Sequence, residues 1–163
     1  MDRATVQSSL YAGVLLTVVG LLAWATGRPF VFPSLGPSGY VLATTSSEAV
    51  TPRRAVGGHL LGLGAGLLTY HTLASGFVIT TTAPAFSLAQ LRLVASGVVA
   101  VALTTGAMLR TDLVHPPACA TTLIVALGLL PSLAEAGIVV ASVLLLVGVH
   151  TVLAPGVHSL STE

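Results

Sequence analysis

Four stretches of this chain are each long enough to cross a bilayer as a helix and almost free of charge: about Ser9 to Thr26, Ala55 to Thr80, Leu88 to Leu109 and Leu133 to Leu153. A hydrocarbon core about 30 Å thick takes roughly 20 apolar residues in helical form. Only helices and closed barrels satisfy their backbone groups in that medium, and the alternating runs of about ten residues that mark barrel strands are not visible. Arg92, near the start of the third stretch, lies close enough to an end to snorkel to the headgroups. The rest of the sequence gives water little to hold: 7% of residues are charged and the mean hydropathy is +0.97, where soluble domains carry about 25% charged residues. The expected fold is therefore all-α, a multi-pass protein of the cell membrane with the lipid bilayer as its main partner.

The 163 residues include six Arg, no Lys and five acids, a formal net charge of +1. No basic face is available to follow a phosphate backbone, so nucleic acid is not an expected partner. Cys119 stands alone inside an apolar stretch and can form neither an intrachain disulfide nor a cysteine-based metal cluster. No metal or cofactor is expected. A cleaved leader would be followed by a polar mature chain; here everything downstream is equally apolar, and the first stretch reads as a retained span that also directs insertion.

Two shorter apolar stretches remain, Phe32 to Thr45 and Leu113 to Leu130, each opening on a proline-bearing turn. Proline suits a first helical turn, where its missing N–H would have no partner. Both stretches are expected to start helices at or just after their second prolines, Pro37 and Pro117. At an offset of about 80 residues Pro37 falls on Pro117, and Tyr70-His71-Thr72 falls near Val149-His150-Thr151. The chain then reads as two similar three-segment halves, about 8–80 and 88–154, each a long helix, a short Pro-started helix and a long helix. If the short segments cross, the halves are inverted; if they re-enter, the halves are parallel. With six crossings Arg3, Arg53, Arg54 and Arg110 share one side; with four, Arg28, Arg53, Arg54 and Arg110 do. The richer side is cytoplasmic by the positive-inside rule in either case.

Broken helices in paired repeats gather binding sites where they meet, and the candidate site follows from that. A helix starting at Pro117 presents backbone N–H groups and a partial positive charge, which suit a small anion. His115 and Pro116 precede it and Thr121 lies on its second turn, while the matching segment brings Gly36, Ser38 and Gly39, small residues whose backbone a ligand can approach. His59 lies well inside a span, where an ionisable residue faces a cavity or a partner. The plainer alternative is that the Pro-Pro pair only starts a helix, with His115 capping it or facing interfacial water. His71 and His150 read as interfacial, and His158 as a solvated tail residue. Gly58, Gly62 and Gly66 form a small-residue stripe that allows close helix crossing, within a protomer or between protomers; so short a chain has few helices to enclose a route, and a homo-oligomer is expected. No Gly-x-Ser-x-Gly elbow, His-Glu-x-x-His, Walker loop or paired intramembrane carboxylates are present, so no enzyme is expected.

His115-Pro116-Pro117, followed by Ala118-Cys119-Ala120-Thr121-Thr122, resembles the signature of the HPP family of integral membrane proteins. Gly36-Pro37-Ser38-Gly39 and Thr51-Pro52-Arg53-Arg54-Ala55-Val56-Gly57-Gly58-His59 are similar to two further blocks of that family, in the same order. The chain departs from the pattern at Cys119, where glycine is common, and at Pro37. The resemblance implies a small multi-span transporter, and nitrite transport is associated with plant and cyanobacterial relatives. The function expected on these grounds is transport of a small inorganic anion, nitrite foremost; the alternative is a structural or regulatory membrane module that transports nothing.

Overall fold

The computed structural model describes residues 2–45 and 50–159. It contains α1 (Arg3–Thr26), α2 (Val31–Thr44), α3 (Pro52–Thr69), α4 (Leu88–Thr111), α5 (Ala118–Ala126) and α6 (Leu133–Ser159), with a π turn over Tyr70–Ala74 that continues α3. Among the described residues there is no strand. Three helices are long and apolar enough to span a membrane: Arg3–Thr26, Leu88–Thr111 and Leu133–Pro155. The expected fourth span, Ala55 to Thr80, is shortened, because helical structure stops at Ala74 and Gly76 turns the chain at φ 85°.

The two long first helices of the halves end alike. Both α1 and α4 have 24 residues and stop at a left-handed residue, Gly27 at φ 65° and Asp112 at φ 55°. In each, the next amide reaches back five residues, Arg28 N–H to the Ala23 carbonyl at 3.0 Å and Leu113 N–H to the Met108 carbonyl at 3.2 Å, the bonding of a Schellman stop. The short helices then differ. α5 starts after Pro117, as its sequence suggests. α2 starts at Val31, upstream of both its prolines, because Arg28 and Pro29 carbonyls already receive the Val31 and Phe32 amides. Pro33 falls in that first turn without cost, and Pro37 is carried inside the helix.

The side-chain contacts fix the direction of every helix. Gly20 faces Phe32 and Gly39 faces Leu16, so α1 and α2 are antiparallel. Ser38 meets His115 and the Ser34 carbonyl meets Thr121, so α2 and α5 are antiparallel. Gly58 faces His115 and Gly66 faces Val125, which makes α3 and α5 parallel. Arg54 bonds Asp112 at one end and Arg92 bonds the Leu73 carbonyl at the other, so α3 and α4 are antiparallel; Tyr11 with His150 and Arg28 with Glu135 do the same for α1 and α6. Directions therefore alternate strictly along the chain, and each helix of the first half opposes its counterpart in the second. The two short helices run in opposite directions, and the halves are inverted. The packing follows the same exchange: α1 rests on α2 and α6 as α4 rests on α5 and α3, while α2 meets α5 and α3 meets α6.

α5 has nine residues, about 14 Å of helix, and matches the length of α3 only together with the segments on either side of it. From Asp112 beside Arg54 to Gly128 beside Tyr70 the chain passes along α3 from its first turn to its π turn, roughly 24 Å. The glycine stripe makes this passage possible. A Cβ on Gly58 would lie 2.8 Å from His115, one on Gly62 2.6 Å from Thr122 Oγ1 and 3.0 Å from the Ala118 carbonyl, and one on Gly66 2.9 Å from the Thr122 carbonyl. The stripe is thus a contact within the protomer. A core of Leu15, Val19, Leu35, Leu42, Leu63, Val125, Val139, Val143 and Leu146 fills the space between the halves, while Leu10, Trp24, Leu91 and Leu109 face outward.

Gly62→Ala should lower the thermal stability of the detergent-solubilised protein by about 1–3 kcal/mol, since the added methyl meets backbone on α5. Gly64→Ala, two residues away with nothing within 4 Å of the new atom, should be neutral or slightly stabilising. Melting curves of the two variants followed by circular dichroism check the contrast, and equal melting would refute the tight α3–α5 contact.

Candidate functional site

Four polar side chains from three helices and one turn meet inside the bundle. His59 stands on the second turn of α3, about 10 Å from its start; Ser38 is on the inner face of α2; His115 closes the turn before α5, and Thr121 lies on α5 itself. Each is essentially sealed from solvent, with relative exposures of 0–1%. Ser38 Oγ lies 2.8 Å from His59 Nε2 and 3.0 Å from His115 Nε2, so one hydroxyl bridges two imidazoles. His59 Nδ1 is 2.8 Å from Thr121 Oγ1, which in turn reaches the Ser34 carbonyl at 3.3 Å. The two rings are 5.3 Å apart between centroids.

Local structure explains why these groups converge. The absence of Cβ atoms at Gly57 and Gly58 lets Leu113 and His115 lie directly on α3. The His115 amide points at Met108 Sδ, 3.3 Å away on α4, which holds the turn from the other side. Ser34 and Ser38 are four residues apart on α2 and share a face, so both meet α5.

The start of α5 differs from the anion seat expected of it. The Ala118, Cys119 and Ala120 amides are bonded at 2.9–3.0 Å to the carbonyls of His115, Pro116 and Pro117. These tight turns occupy the groups that a helix N-terminus would otherwise offer a ligand. Pro117 is buried as the N-cap, and Pro116 is exposed. Nor do the two glycines of α2 join the cluster: Gly39 faces Leu16 of α1 at 3.0 Å, and Gly36 has nothing within 4 Å of where a Cβ would be. Of the expected site residues the structure thus gathers His59, His115, Ser38 and Thr121 and leaves Gly36, Gly39 and Pro116 outside.

Other polar groups were less visible in the sequence. His150, which reads as interfacial, is buried, with Nδ1 2.8 Å from the Tyr11 hydroxyl. His71 meets the Pro131 carbonyl at 3.0 Å at the bundle's edge, and the His158 side chain lies outside the described part. Arg92 is held by the Leu73 carbonyl at 2.6 Å and lies over the Phe77 ring. Above the cluster, Arg54 donates to both carboxylate oxygens of Asp112 at 2.8 and 3.0 Å. Its counterpart in the other half is Arg28 with Glu135 at 3.3 Å, at the opposite end of the bundle. Arg54 and Glu135 each stand three residues after a capping hydroxyl, Thr51 and Ser132, so the two ion pairs occupy matching places with their charges exchanged. Spacing in sequence could not have shown this, because each pair joins two different halves.

The cluster has no empty space of its own. The void beside His59, lined by Val56, Leu60, Leu63, Val140 and Val143, is too tight to admit a water molecule, and among the described residues every buried side-chain nitrogen and oxygen has a partner. No group of three metal-ligating side chains occurs there either. The arrangement is a satisfied, closed network of two imidazoles and two hydroxyls with no carboxylate. What it can offer, once parted, is several converging donors.

Ser38→Ala removes the hydroxyl shared by both imidazoles and should cost about 1–3 kcal/mol of stability, the penalty for stranding buried polar partners. Gly36→Ala, two residues away in open surroundings, should leave the melting temperature unchanged. Thermal denaturation in one detergent checks the pair; a Ser38→Ala protein as stable as the parent would contradict the bridging bonds.

No curated protein and no solved structure matches the chain. One family model does, described as the HPP transmembrane region, and it covers residues 3–163. Its extent includes all six helices and the whole of the buried cluster. The chain accordingly belongs to the HPP family of integral membrane proteins.

Proposed function

We propose that this protein carries a small inorganic anion, nitrite foremost, across the cell membrane, and that it is not an enzyme. The observation that carries the reading is the buried cluster of His59, Ser38, His115 and Thr121 where two short crossing helices of opposite direction meet. Inverted halves with a central polar site are the plan on which alternating access operates: one half rocks against the other and exposes the site to each side in turn. The described structure fits an occluded state. On one side the Arg54–Asp112 pair covers the cluster; on the other the apolar core of Leu35, Leu63, Val139 and Val143 closes it. Parting α2 from α3 and α5 frees the imidazole and hydroxyl donors to face an anion, and the absence of any carboxylate among them suits negative charge. Arg3, Arg53, Arg54 and Arg110 fall on the face with four arginines, against Arg28 and Arg92 on the other, so the first face is cytoplasmic under the positive-inside rule.

The closed, fully bonded cluster also favours a second reading, a structural or regulatory membrane module in which the network only locks the two halves. Uptake separates them. A homo-oligomer remains part of the transport reading on grounds of size alone, since the glycine stripe is used within the protomer; the mass of the protein in nanodiscs measures it.

Proteoliposomes offered nitrite, nitrate, formate and chloride should take up at least one of them above protein-free vesicles. His59→Ala and His115→Ala should each reduce that uptake by at least about tenfold, the equivalent of about 1.4 kcal/mol of lost interaction, whereas His158→Ala should leave it intact. Normal uptake by both cluster variants would sink the assigned site, and no uptake of any of the four anions would favour the structural module.

A further inference from the structure

The cluster has a proton inventory that its geometry constrains. Three bonds join Thr121, His59, Ser38 and His115 in that order, and each needs one proton. With both imidazoles neutral and Thr121 donating to the Ser34 carbonyl, His59 Nδ1–H donates to Thr121, Ser38 donates to His59 Nε2, and His115 Nε2–H donates to Ser38. With His59 as an imidazolium all three bonds are still made. Its two N–H groups donate to Thr121 and Ser38, and Ser38 turns its O–H to Nε2 of His115, whose own proton then sits on Nδ1. The three bonds therefore survive the added proton, with His115 passing from its Nε2–H to its Nδ1–H tautomer.

The same geometry lets that proton move. Ser38 takes the proton from His59 Nε2 as it passes its own to His115 Nε2. One N–H and one O–H bond break, one of each forms, and the positive charge has shifted from α3 to the turn before α5. A hydroxyl at 2.8 and 3.0 Å from the two nitrogens is well placed for this exchange.

Nothing around the cluster supplies a competing charge. On α2 the remaining titratable group is Tyr40, which points outward. On α3 Arg54 is tied to Asp112 and Arg53 is exposed. α4 presents Met108 and Thr104 to this region, with Arg110 and Asp112 at its end; α5 presents Thr122 and the half-buried Cys119. α6 faces His59 with Val140 and Val143, and its Glu135 is paired with Arg28 at the far end. α1 carries Tyr11, bonded to His150, and Arg3, which is exposed at its start. An anion entering this low-dielectric space meets no fixed cation, and an uncompensated charge there is very costly. The imidazoles are the groups able to supply the counter-charge.

We propose that the protein carries one proton with each anion, held on the His59–Ser38–His115 relay, so that the loaded carrier is electroneutral. This rests on the anion-transport reading and adds its coupling ion. The anion lies against imidazolium N–H and hydroxyl donors while both are inside, and the proton leaves with it when the opposite face opens.

The test uses the full chain in proteoliposomes with an internal pH dye and the membrane potential clamped by valinomycin and potassium, with nitrite and nitrate as probes and protein-free vesicles subtracted. Electroneutral symport of one proton predicts that anion accumulation rises tenfold for each pH unit by which the outside is more acidic, that the lumen acidifies in step, and that changing the potential has no effect. Ser38→Ala should lose most of the pH-driven uptake and Ser38→Thr, which keeps the hydroxyl, should retain it. Accumulation that follows the potential and ignores pH overturns the coupling while leaving transport in place. Full coupling in Ser38→Ala overturns the relay; absence of protein-dependent uptake of both probes overturns the coupling, and if formate and chloride are refused as well it overturns the transport reading.

Discussion

The close approach of α3 to α5 is the constraint on which the rest of this structure depends. In a bilayer no hydrophobic effect draws helices together, and contact comes from backbones that can approach without side chains between them. Gly58, Gly62 and Gly66 provide that face on α3, and Ala118, Thr122 and Val125 of α5 fill it. Because α5 is short, the turn that precedes it has to enter the bundle, and His115 enters with it. The same approach places the His115 ring 5.3 Å from that of His59. A bulky residue at any of the three glycines would separate the two rings and leave Ser38 without one of its partners.

From this contact the inverted arrangement follows in steps. α5 parallel to α3, and antiparallel to α2 and α4, sets six alternating directions. The matching 24-residue helices with left-handed stops, Gly27 and Asp112, bring the chain back into the bundle at opposite ends. Each return is held by one ion pair at the start of a third helix, Arg28 with Glu135 and Arg54 with Asp112. Ion pairs with one partner open to solvent contribute little to stability, about 0–1 kcal/mol, so both can break and reform at small cost. That property suits contacts at the two ends of a bundle whose centre is apolar and whose polar groups are few.

Much of this was legible in the residues. The apolar stretches gave the helical class, the limits of α4 to within two positions and one end each of α1 and α6, whose other ends run six residues further, because hydrocarbon leaves a chain few other options. His59, His115, Ser38 and Thr121 stood out as polar groups inside apolar sequence, and they do meet. What periodicity could not supply was local bonding. α2 starts before its prolines because the Arg28–Phe30 turn already has helical bonding. The α5 amides are spent on the turn carbonyls, and Gly39 serves α1 packing, as only its Leu16 neighbour reveals. Buried His150 with Tyr11, and the two exchanged ion pairs, join residues far apart in the chain, where a single sequence carries no signal of contact.

Under the proposed function an anion binds at the His59–Ser38–His115 cluster. Nitrogen NMR of the imidazoles in the reconstituted full-length protein, with histidine rings labelled and nitrite added stepwise, tests it most directly. The account predicts saturable shifts confined to the His59 and His115 ring signals, assigned by their variants, with the His71 and His150 signals unmoved. Ring signals of His59 and His115 that stay fixed at nitrite concentrations supporting full uptake would contradict it.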